Sequence, residues 1–146
     1  MTGRQDDEKA RNMGKPVNYP LMENAEELRA ASGRSADAIG LATLADLSPD
    51  DLRISAETLR AQAAVAQDAG FAQLAENLTR AAELTVVPNE ELLRMYEIMR
   101  PGRSTYAQLQ EMATKLEVTY GATTTANMVR EAAEVYRQRN LLKRQP

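Results

Sequence analysis

The chain has 146 residues, 18 of them basic and 21 acidic, and it contains no histidine, cysteine or tryptophan. The missing cysteine excludes disulfides, thiolate metal sites and cysteine nucleophiles. The missing histidine removes the commonest neutral-pH base, metal ligand and partner of a catalytic serine. Charges of both signs are interspersed to a net of −3, so no basic stripe points to nucleic acid, and no apolar run approaches membrane-spanning length. Alanine and leucine dominate the apolar residues, with Phe71 the single phenylalanine beside five tyrosines and seven methionines. Alanine buries little area, which predicts a thin core that completes its burial against a partner.

Residues 1–16 are polar, charged and glycine-containing, a composition that predicts disorder. They also lack the apolar stretch of a secretory signal, so the expected location is cytoplasmic. Residues 17–47 read as a partner-docking arm, with Tyr19 and Leu21 as anchors around Pro20, which biases Tyr19 toward an extended backbone. Within the arm, Asn24 heads a predicted short helix that stops near Gly33, and Ala36 to Asp46 offers a helical face interrupted by Gly40. Residues 48–146 read as the helical domain. Ser48-Pro49-Asp50-Asp51 predicts a single short turn, with Ser48 as its cap, before a helix starts at Ser55.

The first long helix carries Leu59, Ala63, Ala66 and Ala69 at helical spacing and stops at Gly70; the next carries Leu74, Leu78 and Ala81 and closes before Pro88. Small residues at their crossing predict a close helical hairpin. A third helix from Asn89 presents Leu92, Leu93, Tyr96 and Met99 and cannot pass Pro101. Ser104 is the expected cap of a fourth, with Tyr106, Leu109, Met112, Ala113 and Leu116 on one face. After Gly121, residues from Thr125 to about Leu142 form the last, its basic end matching the negative end of the helix dipole. The fold class is all-α: a compact domain of four to five helices with an extended N-terminal arm.

No constellation for catalysis emerges. Asp46, Asp50 and Asp51, like Glu90 and Glu91, lack the alternating ligand spacing of a calcium loop and sit where helices start. No catalytic, cofactor-binding or metal-ligating residue is assigned to this chain. Arg94, Arg100 and Arg103 flank a turn ahead of a helix start, a setting that suits an anion, but bidentate contacts to a partner's carboxylates are the preferred reading. The Tyr96, Met99, Tyr106 and Met112 stripe reads as core or contact surface rather than as a ligand pocket.

Four segments, in order, carry a resemblance. They are Asp51 to Leu59 (DLRISAETL), Arg80 to Pro88 (RAAELTVVP), Tyr96 to Ser104 (YEIMRPGRS) and Val129 to Tyr136 (VREAAEVY). With Tyr19-Pro20-Leu21 they resemble the small (gamma) subunit of coenzyme B12-dependent diol and glycerol dehydratases, over about residues 17 to 143. The resemblance implies an enzyme of large (alpha), medium (beta) and small subunits, a dimer of heterotrimers that converts 1,2-propanediol or glycerol to an aldehyde through an adenosyl radical. It implies adenosylcobalamin held between the large and medium subunits, a cation and substrate in the large one, and a small subunit that binds neither. Interface positions expected on this reading are Tyr19, Pro20, Leu21, Arg80, Tyr96, Arg100, Pro101, Arg103, Ser104 and Tyr136. Residues 1–16 differ from the longer extension linked to packaging in diol dehydratases, so residence in a bacterial microcompartment is left open. A stand-alone helical interaction or adaptor module is the alternative reading.

Overall fold

The computed structural model describes residues 19–144, so the expectation for residues 1–16, and for Val17 and Asn18, falls outside them. Among the described residues there is no strand, and the only bridge is an isolated antiparallel pairing of Arg29 with Ser35. Among the described residues five α-helices make the body: α1 (Ala56–Asp68), α2 (Ala72–Leu84), α3 (Asn89–Ile98), α4 (Tyr106–Tyr120) and α5 (Thr123–Gln138). Ahead of them the described residues form four short 3-10 turns, Leu21–Asn24, Ala36–Ala38, Leu41–Asp46 and Pro49–Asp51.

The helix expected after Asn24 does not form. The chain instead makes a tight reversal in which Ala30 N–H donates to the Arg34 carbonyl and Ala36 N–H to that of Leu28, with Gly33 supplying the left-handed turn at φ 84°. The Ala36 to Asp46 face likewise breaks into two 3-10 turns, the first ended by extended backbone at Ile39 and the second preceded by extended backbone at Gly40.

Helix α1 starts at Ser55, whose hydroxyl oxygen accepts the Thr58 N–H. Its end is a paired-amide termination: Gly70 at φ 85° lets its own N–H reach the Gln67 carbonyl and the Phe71 N–H reach that of Ala66. The α1–α2 hairpin then closes on alanines, with Ala61, Ala63, Ala66, Ala75 and Ala82 buried. The inward face of α2 is therefore one position round from the expected Leu74, Leu78 and Ala81. Large side chains would hold the backbones apart, so Leu74 and Phe71 stand outside, and Ala69, expected inward on α1, is exposed.

The main core lies between α4 and α5. Leu109, Met112, Ala113 and Leu116 of α4 pack against Ala126, Val129 and Ala133 of α5, with Met95 of α3 and Val87 completing the cluster. In α3, Met95 faces inward with Leu92 and Met99 beside it, whereas Leu93 and Tyr96 point outward. The cap of α4 is Thr105, not Ser104: Thr105 Oγ1 accepts the Gln108 N–H and Gln108 Oε1 accepts the Thr105 N–H. Helix α5 stops at Gln138, short of Leu142. Asn140 adopts φ 56°, and the Leu141 and Asn140 N–H groups turn back to the Tyr136 and Arg137 carbonyls.

Candidate functional site

The turn between α3 and α4 is built from both sides. Gly102 takes φ 79°, and its N–H donates to the Leu141 carbonyl at 2.7 Å. Lys143 N–H donates to the Ser104 carbonyl at 2.8 Å, so the chain after α5 folds back and straps the turn down. Ser104 is 2% exposed and its hydroxyl donates to the Ile98 carbonyl at 2.5 Å. The Tyr136 hydroxyl donates to the Met99 carbonyl at 2.5 Å. Ser104 and Tyr136 thus close the end of α3 from within, where the last carbonyls of a helix lack intrahelical donors. Ser104, expected at an interface, has almost no surface to offer one.

What the turn does present is Arg100, Pro101 and Arg103, all exposed. Both guanidinium groups lean on one carboxylate, Glu97, at 3.2 Å from Arg100 and 3.6 Å from Arg103. Exposed pairs of this kind contribute little to stability, so both arginines can exchange Glu97 for another anion at small cost. Tyr96 and Arg94 lie on the exposed side of α3. Arg80, on α2, is bound more tightly, to Glu76 at 2.8 Å and to the Asn77 side-chain oxygen.

The Tyr19-Pro20-Leu21 segment, with a cis Tyr19–Pro20 peptide, borders an apolar groove lined also by Val65, Phe71 and Leu74. Tyr19 and Phe71 are both well exposed. The ten expected positions therefore do not converge. One set surrounds the α3–α4 turn, a second set lines the groove on the α1–α2 hairpin, and Arg80 belongs to neither.

Three polar clusters were not foreseen. Asp51, with a side chain 1% exposed, accepts the Ser32 hydroxyl at 2.5 Å, the Ser48 N–H at 2.8 Å and the Ser48 hydroxyl at 3.0 Å, with Arg34 at 3.6 Å. Ser48 stands at the N-cap of the Pro49–Asp51 turn, as expected, and Asp51 reaches back to accept its N–H and hydroxyl. The Ser32 bond, followed by that from the Ser48 backbone, holds the Asp51 carboxyl below its ordinary pKa. Glu83 of α2 accepts the Thr124 and Thr125 N–H groups at 2.9 and 2.8 Å and the Thr125 hydroxyl at 2.7 Å, capping α5 from another helix. Burial pushes the Glu83 pKa up, but the N–H groups of Thr125 and Thr124 outweigh it and the net displacement is downward. The Tyr106 hydroxyl donates to Glu134 at 2.5 Å, which with burial raises its pKa, and Arg137 lies over its ring. The S-P-D-D spacing was the one signal that pointed to Asp51; Glu83 and Glu134 act across long sequence separations.

No group of three or more carboxylate, histidine or cysteine side chains among the described residues is placed to hold a metal ion, and no described helix is long and apolar enough to cross a membrane. Comparison with known proteins gives the arrangement its context. A family model described as dehydratase small subunit matches residues 15–143. The propanediol dehydratase small subunit of Citrobacter freundii is 42% identical over 132 residues, covering 88% of this chain and 77% of that protein. The protein of the same description from Salmonella typhimurium is 42% identical over 132 residues, covering 88% and 76%. A match over nearly the whole described chain, together with a helical body that leaves apolar and cationic side chains facing outward, leads to one conclusion: the chain belongs to the dehydratase small-subunit family.

Proposed function

We propose that this chain is the small subunit of an adenosylcobalamin-dependent propanediol dehydratase, a hydro-lyase that converts the diol to propionaldehyde and water. The observation that carries the reading is the 42% identity to propanediol dehydratase small subunits across 88% of the chain. The chain's part is assembly with the large and medium subunits, in a dimer of heterotrimers. Tyr19, Pro20 and Leu21 at the groove, and Tyr96, Arg100, Pro101 and Arg103 at the α3–α4 turn, are its contacts with them. Ser104 and Tyr136 support the turn from behind.

With neither histidine nor cysteine, this chain offers cobalt no imidazole or thiolate ligand. Radical chemistry is supplied by the cofactor when bound elsewhere in the complex, and no step of it is assigned to a side chain of this subunit. Co-expression with the large and medium subunits tests the reading. A complex that contains this chain, and that loses activity or stability when it is omitted, is the expected result; full activity of the other two subunits alone contradicts it.

A further inference from the structure

Residues 35–52 contain four aspartates, Asp37, Asp46, Asp50 and Asp51, and no lysine or arginine. In their midst the 3-10 turn Leu41–Asp46 buries none of its residues. A 3-10 helix repeats every three residues, so side chains at i and i+3 eclipse. Leu41 and Leu44 therefore stand in one row, 90% and 63% exposed, with half-buried Leu47 at the next step. Hydrogen bonds define the shape of the row. Thr43 ties the turn to Gly40 and Ala38, and Asp51 clasps the two ends of the loop through Ser32 and Ser48. Of the four acids, Asp51 is used in that clasp and Asp50 pairs with Arg53 at 3.5 Å, whereas Asp37 and Asp46 make no ion pair among the described residues.

We propose that the Leu41–Leu44 row is a docking ridge that inserts into an apolar socket rimmed by lysine or arginine on another subunit of the dehydratase. The proposal rests on the reading of this chain as a dehydratase subunit and adds which face it uses and what its partner's surface is made of. Charge selects that occupant. Contact cores are apolar with a polar rim, and Asp37 and Asp46, exposed within four residues of the leucines, are complemented by cationic groups on the partner. A second copy meeting this one ridge to ridge would set the same acids against each other. The apolar groove by Phe71 on a second copy is no better, since among the described residues Asp68 is its one charged lining residue.

The test is retention of this chain on an affinity-tagged large subunit, in complex with the medium subunit, across a series of salt concentrations. Leu41→Ser/Leu44→Ser should weaken retention by about tenfold or more at every salt concentration, because two anchors at the centre of a contact are lost. Asp37→Asn/Asp46→Asn should weaken it several-fold at low salt and converge on wild type at about 0.5 M, where screening removes the contribution of the wild-type charges. Circular dichroism of each variant checks that helix content is unchanged; should the leucine variant lose it, the aspartate variant decides. Wild-type retention with unaltered behaviour of the folded variants overturns the ridge alone. A wild-type chain that is not retained overturns the ridge together with the subunit reading.

Discussion

Residues 19–54 and the α4–α5 pair are stretches of similar length held by opposite means. The helical pair is joined by side chains removed from water, with Leu109, Leu116, Ala126, Val129 and Ala133 all essentially inaccessible. The leading segment buries Ala25 and Asp51 and little else, while Leu41, Leu44, Leu52 and Ile54 stay in solvent. Its shape comes from hydrogen bonds: the Arg29–Ser35 reversal, the Thr43 contacts and the Asp51 clasp. Apolar burial is non-directional and scales with area, so it stabilises the body whatever surrounds it. A hydrogen-bonded loop contributes a defined shape with little net stability. The contrast separates a part that gives the chain its fold from a part that gives it a surface.

Substitutions should divide along the same line. The largest effect belongs to the core: Leu116→Ala should lower unfolding free energy by about 2–5 kcal/mol in urea titration, the range for a buried leucine that leaves a cavity. Next comes Glu83→Gln, which removes a charged acceptor from two backbone amides and should cost about 1–3 kcal/mol. The sign of its pH dependence follows from the downward pKa of Glu83. The carboxylate's stabilisation is complete above the ordinary value of 4.5 and is lost as pH falls below it. Wild type should therefore lose stability on acidification more steeply than Glu83→Gln.

Asp51→Asn should loosen the leading segment alone. Hydrogen exchange should accelerate in residues 32–48, while the amides of α4 and α5 keep their protection. Acidification below the usual carboxylate range should likewise accelerate exchange in residues 32–48 of wild type, since the Asp51 pKa is also depressed, together with a loss at the α5 start that Glu83 contributes and that Glu83→Gln removes. Protection lost equally in the body would mean that the two regions are a single cooperative unit. The smallest effect on stability is expected for Arg100→Ala and Arg103→Ala, within about 0.5 kcal/mol because their pairing with Glu97 is exposed. Their expected effect is on assembly, read as weaker retention on the large subunit.

Much of the body was legible from the residues. Gly70 and Gly121 marked helix ends at which the backbone does turn left-handed, and the Leu109, Met112, Ala113 and Leu116 face is the face that is buried. On α1 the expected Ala63 and Ala66 are buried, but periodicity failed in α2. In α2 the larger leucines gave the stronger periodic signal, yet close approach of the helices selected Ala75 and Ala82 for the crossing. In the leading segment the helical pattern around Leu41 and Leu44 was real, but it described a 3-10 ridge facing water rather than an α-helix facing a core. The polar clusters were hidden for a different reason. Glu83 meets Thr125 across 42 positions, and Tyr106 meets Glu134 across 28, separations that no local pattern encodes. At the expected interface, Arg100 and Arg103 are on the surface as residue chemistry suggests, whereas Ser104 turned inward because the end of α3 needed a donor.

On the proposed reading this chain is an assembly subunit whose outward-facing surfaces are completed by neighbouring dehydratase chains. Purification of the tagged large subunit, co-expressed with the medium subunit and with or without this chain, followed by assay of adenosylcobalamin-dependent propanediol dehydration, decides it. A stoichiometric three-chain complex that is active, beside a two-chain preparation that is unstable or inactive, is the expected result. Equal activity of the two-chain preparation, or failure of this chain to co-purify, would contradict it.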